Sequence, residues 1–386
     1  MSYNRGEWSE AYLLLRLVGD GRIYAGNEHS VRLPDRYMDI TSVLKRNTNN
    51  VLECARGDRV VECWVIHDDN HTESAHLCVP LQQFVDMADL LFENIRNHNG
   101  AFCAEVPYRF LQNIGDTSIK AGKWKAESVY EEAFRGKTDI VLRVIDRAET
   151  DMLGFSVKSY AGSPPTLFNA SGASACIYRI ADCTDEEFTA LNNIVSASGH
   201  PDVIGRVAAV RDRLTFVSTY NCRRNRNQFN GEAGPFFQWN LDLLDARMPE
   251  IISEAILVRY GYYGTEHTEL TDIIDELVRL NPLNHRNPSV FYRTKLSDFV
   301  YASFGQMTAA NEWNGTHVIN GGYIEVKRDG ECLYIRANSD DSFKSYLIAN
   351  THFESPSTNP DRGLHHGQIT RDDDGVYLHL NFSVRF

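Results

Sequence analysis

Residues 137–159 read KTDIVLRVIDRAETDMLGFSVKS, and this stretch decides how the rest of the chain is interpreted. Its segment Ile140–Ile145 is almost entirely β-branched or aliphatic, a composition that favours a buried strand. The polar segment Arg147–Thr150 suits the short connection of a β-hairpin. With the turn there, Asp139 and Lys158 become near neighbours at the open end of the hairpin. The stretch therefore predicts a carboxylate and an ammonium group held together on two rigid strands.

The second strand of this hairpin has two chemically different faces. Phe155 and Val157 share one face and Ser156 and Lys158 share the other, because successive side chains of a strand alternate. A carboxylate such as Asp139 binds a hard cation such as Mg²⁺, and the main-chain carbonyl of Val157 could supply a second oxygen. Lys158 could then orient or deprotonate an attacking water. The alternative is a hairpin that carries an ordinary surface salt bridge.

An Asp, a gap of hairpin length and a residue–apolar–Lys triplet together resemble the PD-(D/E)XK nuclease motif. This chain departs from the motif at Thr138, where the motif has Pro, and at Ser156, where it has an acidic residue. The second departure removes a metal-binding carboxylate from the strand. Some restriction endonucleases carry the same Ser–Val–Lys form and take a Glu from a nearby helix instead.

Further stretches along the whole chain resemble HpaII-type restriction endonucleases. They read NRGEWSE at 4–10, FSVKS at 155–159, GSPPTLFNAS at 162–171 and LNFSVRF at 380–386. The resemblance implies a type II restriction endonuclease that needs Mg²⁺ and cleaves double-stranded DNA at CCGG, on both strands and with a 5′ overhang. The palindromic target favours a homodimer, because both have two-fold symmetry.

The expected fold class is α/β (α+β), with a PD-(D/E)XK nuclease core in which helices flank a mixed central sheet. Two Pro residues make the polar stretch Asn281–Ser289 a candidate domain boundary. We therefore expect a catalytic and DNA-binding region over 1–281 and a smaller C-terminal α+β region over 289–386. Within the latter, alternation over Val376–Phe386 predicts one long strand, and the pair His365–His366 is interpreted as surface residues.

The carboxylate that is absent at Ser156 has two candidate sources on the first predicted helix, Arg5–Val18. Glu7 and Glu10 lie one turn apart on the same face of this helix. Near the helix N-terminus both also complement the helix dipole, which is the structural alternative. The resemblance favours a catalytic and metal-binding role, with Glu10 preferred to Glu7. Glu186 and Glu187, in a predicted helix capped by Thr184, are the fallback source.

Side chains that suit contact with DNA bases are concentrated between residues 221 and 228. Arg pairs with guanine edges, and Asn or Gln pairs with adenine. Whether they contact bases or only phosphates stays open, and a polar surface loop is the alternative. Asn169, in the Gly-, Ser- and Pro-rich loop after Lys158, is a further candidate. The DNA-binding prediction thus comprises Asn169, Arg223, Arg224, Asn225, Arg226, Asn227 and Gln228.

Composition limits the remaining function classes. No window of the 386 residues approaches the ~18 apolar residues of a membrane span, and no apolar signal core follows Met1, so a cytoplasmic protein is expected. The formal net charge of −13 counts against DNA binding unless a local basic cleft exists. A repair nuclease with the same core and a non-catalytic DNA-binding protein are the alternative functions.

Overall fold

A computed structural model describes residues 2–48, 50–67, 73–119, 134, 138–146, 149–162, 164–170, 174–219, 236–305, 307–316, 321–337, 341–359 and 365–386. The chain divides into two compact units, Met1–Pro165 with Val318–Phe343 and Thr166–His317 with Lys344–Phe386. These bounds differ from the expected division into 1–281 and 289–386, because the stretch 281–289 connects two helices inside the second unit.

A mixed sheet forms the first unit. Its strands are β1 Arg22–Gly26, β2 Arg32–Arg46, β3 Asn50–Arg56, β4 Val60–His67, β5 Glu73–Pro80, β6 Ile140–Asp146, β7 Glu149–Ser159, β11 Gly322–Val326 and β12 Cys332–Arg336. Among the described residues their order is β1-β12-β11-β7-β6-β2-β3-β4-β5, and β1 also pairs with β2. Six strands therefore close into a ring within this described sheet. The β1–β12 and β11–β7 pairs are parallel and the others antiparallel.

Helices α1 (Arg5–Asp20), α2 (Leu81–Asn97) and α3 (Glu105–Asn113) complete the first unit. Most of α1 is buried, because its apolar residues surround the helix instead of forming a narrow stripe. The helix ends at Gly21, whose φ of 65° is a left-handed conformation that glycine adopts without steric cost. Near this end α2 packs closely, since a Cβ placed on Gly19 would come within 3.1 Å of the Val85 side chain.

Two smaller sheets and most of the helices form the second unit. Its strands are β8 Thr166–Phe168, β9 Cys176–Ile180, β10 Leu214–Ser218, β13 His352–Glu354, β14 Ile369–Asp372, β15 Gly375–Leu380 and β16 Ser383–Arg385. Its helices are α4 Asp185–Asn192, α5 Val203–Ala209, α6 Phe236–Leu244, α7 Met248–Arg259, α8 Leu270–Leu280 and α9 Pro288–Phe304. Helix α10, Asp341–Ala349, spans the division between the units. The described strands are ordered β10-β9-β15-β14 and β13-β16-β8.

The architecture confirms the α/β (α+β) class with a mixed central sheet, but two C-terminal predictions are wrong. The alternating stretch Val376–Phe386 is not one strand, because β15 and β16 belong to different sheets. His366 is buried and not at the surface, since its Nδ1 accepts the Asn381 N–H at 2.9 Å. No helix in the described part of the chain has the length and apolarity of a membrane span.

Candidate active site

The β6–β7 hairpin fixes the position of Asp139. Ile140 pairs with Phe155 in the antiparallel register, and the Asp139 N–H donates to the Phe155 carbonyl at 2.9 Å. This hydrogen bond departs by one residue from the β6–β7 register, and it fixes Asp139 at the open end of the hairpin. At the other end Asp146 pairs with Glu149, so Glu149 and Thr150, which the sequence predicts in the connection, belong to β7.

The Asp139 carboxylate is held by the strand opposite to it. Its Oδ2 accepts the Val157 N–H at 2.8 Å and the Ser156 hydroxyl at 3.2 Å. Burial raises the pKa of the Asp139 carboxyl, while the Val157 N–H, the Lys158 charge and the Ser156 hydroxyl oppose that rise. Ser156, which stands in place of the acid of the motif, thus acts here as a hydrogen-bond donor that orients Asp139.

Lys158 is half-buried near the end of β7. Burial lowers the pKa of its ammonium group, and the charges of Asp139 and Glu10 raise it in turn. Both carboxylates therefore lie within electrostatic range of one amine. The Lys158 Nζ also lies 5.5 Å from the centroid of the Tyr323 ring on β11.

Two acidic residues of helix α1, Glu7 and Glu10, have different partners. Asn4 and Glu7 form a capping box, in which each side chain accepts the backbone N–H of the other residue at 3.0 Å. Glu10 lies three residues later, and its charge acts on Lys158. The hydroxyls of Ser9 and Ser159 are 2.7 Å apart and tie α1 to the end of β7. The structure thus brings Glu10 to the hairpin and engages Glu7 in the helix cap.

The oxygen donors of this cluster suit a hard cation. They are the carboxylates of Asp139 and Glu10 and the carbonyl of Val157, which faces the same side as its N–H and hence the Asp139 side. No group of three or more His, Cys, Asp or Glu residues converges to hold a metal in the described ranges. Mg²⁺ fits such a set, because it is bound through one or two carboxylates and keeps several waters.

Other predicted site residues lie elsewhere. Glu186 is exposed on α4 in the second unit, where Glu187 accepts from Arg213 at 3.0 Å. Asn169 is exposed just after β8, also in the second unit. The base-contacting candidates Arg223, Arg224, Asn225, Arg226, Asn227 and Gln228 lie outside the described residues.

The sheet also brings charged residues to the hairpin that the sequence reasoning missed. Lys45 on β2 pairs with Ile140, and the next residue, Arg46, ends β2 close enough to Asp139 for its charge to lower the pKa of that carboxyl. On the other side of β7, Glu325 pairs with Lys158 in the parallel register, and its Oε1 accepts the Ser30 hydroxyl at 3.1 Å. No local sequence signal could reveal these neighbours, because they depend on strand pairings that are distant in sequence.

Comparison with known proteins identifies the family. The family described as HpaII restriction endonuclease matches residues 4–386. The Type II restriction enzyme HpaII of Haemophilus parainfluenzae is 30% identical over 395 residues, which cover 100% of this chain and 98% of that enzyme. No solved structure matches significantly. The resemblance noted in the sequence is confirmed, and the chain belongs to the HpaII restriction endonuclease family of type II site-specific deoxyribonucleases.

Proposed function

We propose that the chain hydrolyses both strands of DNA at a specific sequence, with Mg²⁺ as cofactor and with Asp139, Glu10 and Lys158 in a PD-(D/E)XK-like active site. The observation that supports this proposal is that Asp139 is hydrogen-bonded to Val157, the residue before Lys158, and that the charges of Asp139 and Glu10 both act on the Lys158 amine. The family match over residues 4–386 favours restriction over the alternatives of a repair nuclease and a non-catalytic DNA-binding protein.

Each residue of the site has a distinct chemical task. Asp139, Glu10 and the Val157 carbonyl would hold Mg²⁺, which neutralises charge on the phosphate and favours ionisation of water. Because burial lowers the pKa of Lys158, its Nζ is suited to accept a proton from the attacking water. The water oxygen forms a bond to phosphorus, the bond to the leaving oxygen breaks with its electron pair, and solvent protonates that oxygen. Ser156 and the Val157 N–H keep Asp139 oriented throughout.

The proposed target is CCGG, which the resemblance to the HpaII group implies. Its base pairs are all G·C, and Arg side chains read the major-groove edge of guanine with two hydrogen bonds. Arg223, Arg224 and Arg226 are therefore the proposed base-reading residues. Asn225, Asn227, Gln228 and Asn169 are proposed to contact the backbone or neighbouring edges. A homodimer is proposed because one protomer would serve each strand of the palindrome.

Plasmid cleavage tests the function. We expect wild-type protein to produce discrete fragments with Mg²⁺ and none with EDTA, and sequencing of the ends should return CCGG. Lys158→Ala should lower the single-turnover rate by about 10³-fold or more while specific binding in EDTA stays within about threefold, because general-base catalysis is lost and most DNA contacts remain. A Lys158→Ala enzyme that cuts at the wild-type rate would remove Lys158 from the mechanism. Ends without a shared sequence would remove the proposed specificity.

A further inference from the structure

Arg46 is the last residue of β2 and lies near Asp139. Its neighbour Lys45 pairs with Ile140, the residue that follows Asp139 and begins β6. Successive side chains of a strand alternate between faces. Arg46 therefore shares a face of β2 with Leu44, whereas Lys45 projects to the other face and pairs there with Asp116.

The Arg46 side chain is buried next to apolar residues. Only 8% of the residue is exposed, and its guanidinium carbon lies 5.4 Å from the centroid of the Phe134 ring. Leu44, Val51, Phe134 and Val141 form an apolar cluster on this face. Burial of a cation costs several kcal/mol before compensation, and the nearby Asp139 carboxylate contributes to that compensation. The charge of Arg46 also lowers the pKa of the Asp139 carboxyl, which shows that the two groups are within electrostatic range.

Charge balance indicates what this cation does in the reaction. The two carboxylates that act on the Lys158 charge, Asp139 and Glu10, would formally cancel the charge of one Mg²⁺, which leaves Lys158 as a cation once it has accepted the proton of the water. A phosphodiester carries one negative charge, and its pentacovalent transition state carries a second. A fixed guanidinium next to the metal-binding carboxylate supplies the missing positive charge, and its planar donors match phosphate oxygens.

We propose that Arg46 binds a non-bridging oxygen of the scissile phosphate and stabilises the charge that develops there in the transition state. The residue gives and takes no proton. This inference rests on the proposed hydrolysis at Asp139 and Lys158, and it adds a catalytic residue to that site. The alternative role is purely structural, as a counter-charge that keeps the sheet end intact.

The experiment measures whether the contribution of Arg46 to DNA affinity depends on the charge of the scissile phosphate. Duplexes that contain the cleaved site carry either the native phosphate or an uncharged methylphosphonate at the scissile position, and affinities are measured in EDTA. We expect Arg46→Met to weaken binding of the native duplex by about tenfold and of the methylphosphonate duplex by no more than about twofold. Arg46→Lys should retain part of the coupling, because it keeps the charge but loses the planar donors. With Mg²⁺, the single-turnover rate of Arg46→Met should fall by about 10².

Arg143→Met is the matched control. Arg143 lies on β6, which begins one residue after Asp139, but forms an ion pair with Glu53 at 3.1 Å. The Arg143→Met variant should change the affinity for both duplexes by the same factor. Any loss of stability in this variant shows how far a purely structural defect lowers DNA affinity. Equal losses on the two duplexes for Arg46→Met and for Arg46→Lys would overturn the proposal and leave the hydrolytic function intact. A separate result, cleavage by Lys158→Ala at the wild-type rate, would contradict the proposed hydrolytic mechanism itself.

Discussion

At the level of single side chains, Ser156 changes how the site is assembled. In the proposed site an acid at this position would bind metal, whereas the serine hydroxyl donates to Asp139 Oδ2 at 3.2 Å and orients a carboxylate. The proposal therefore takes the missing oxygen ligand from another element. The structure places Glu10 within electrostatic range of Lys158, while Glu7 closes the capping box with Asn4. The sequence could rank these two acids only by resemblance, because both lie on one helix face.

Lys45 and Asp116 provide a stability prediction at the same scale. Their side chains are 1% and 0% exposed, and Lys45 Nζ lies 2.9 and 2.8 Å from the two Asp116 oxygens. Removal of one partner leaves an unpaired buried charge, so Lys45→Met and Asp116→Leu should each lower the free energy of unfolding by ~3–5 kcal/mol. The double variant Lys45→Met/Asp116→Leu should recover most of the loss in chemical denaturation. If the double variant instead loses the sum of the two single-variant free energies, the interaction between Lys45 and Asp116 is not the source of the destabilisation.

At the level of helices and strands, local patterns predicted what depends on near neighbours in sequence. The helix expected over Arg5–Val18 is observed over Arg5–Asp20. The β6–β7 hairpin also forms with its turn in the expected place. Each of these elements is specified by periodicity, a cap or a turn within its own residues.

The strand predicted over Val376–Phe386 shows where local patterns fail. Its apolar residues are buried as expected, including Leu380, Phe382 and Val384. The chain nevertheless changes sheets at Asn381, whose N–H donates to His366 and whose carbonyl accepts the Tyr260 hydroxyl at 2.8 Å. An alternation of apolar and polar residues indicates which face of a strand is buried, but it does not indicate which strand pairs with it. The pairing of β2 with β6, which brings Arg46 near Asp139, escaped prediction for the same reason.

At the level of the whole molecule, the units are not continuous in sequence. The strands β11 and β12 lie more than 150 residues after β7 and yet join the sheet of the first unit. A boundary inferred from Pro and polar composition cannot detect such a return, because it depends on a parallel pairing between β7 and β11. The formal charge of −13 likewise describes the whole chain and not the cations beside Asp139.

Acid stability of the molecule should depend on His366. Burial, with a smaller effect of Arg259, lowers the pKa of this imidazole from 6.5 to about 3. The unfolded chain binds a proton below about pH 6.5 and the folded chain does not until about pH 3, so stability is present above this window and is lost as the pH falls through it. We expect His366→Gln to remove a slope of up to ~1.4 kcal/mol per pH unit from the free energy of unfolding. Denaturation at several pH values measures it, with His365→Asn as the control. An unchanged slope in His366→Gln would contradict the assignment.

The central claim, that α1 completes a hairpin site, is tested most directly by a comparison of Glu10→Gln with Glu7→Gln. Both variants remove one carboxylate from the same helix, but only Glu10 acts on Lys158. Single-turnover cleavage should be measured across a Mg²⁺ titration. We predict that Glu10→Gln lowers the rate by about 10² or more and raises the Mg²⁺ requirement, because a metal ligand is lost. Glu7→Gln should cleave within about threefold of the wild type, since the loss of a cap affects mainly stability. Normal cleavage by Glu10→Gln, or a larger loss in Glu7→Gln, would contradict the account.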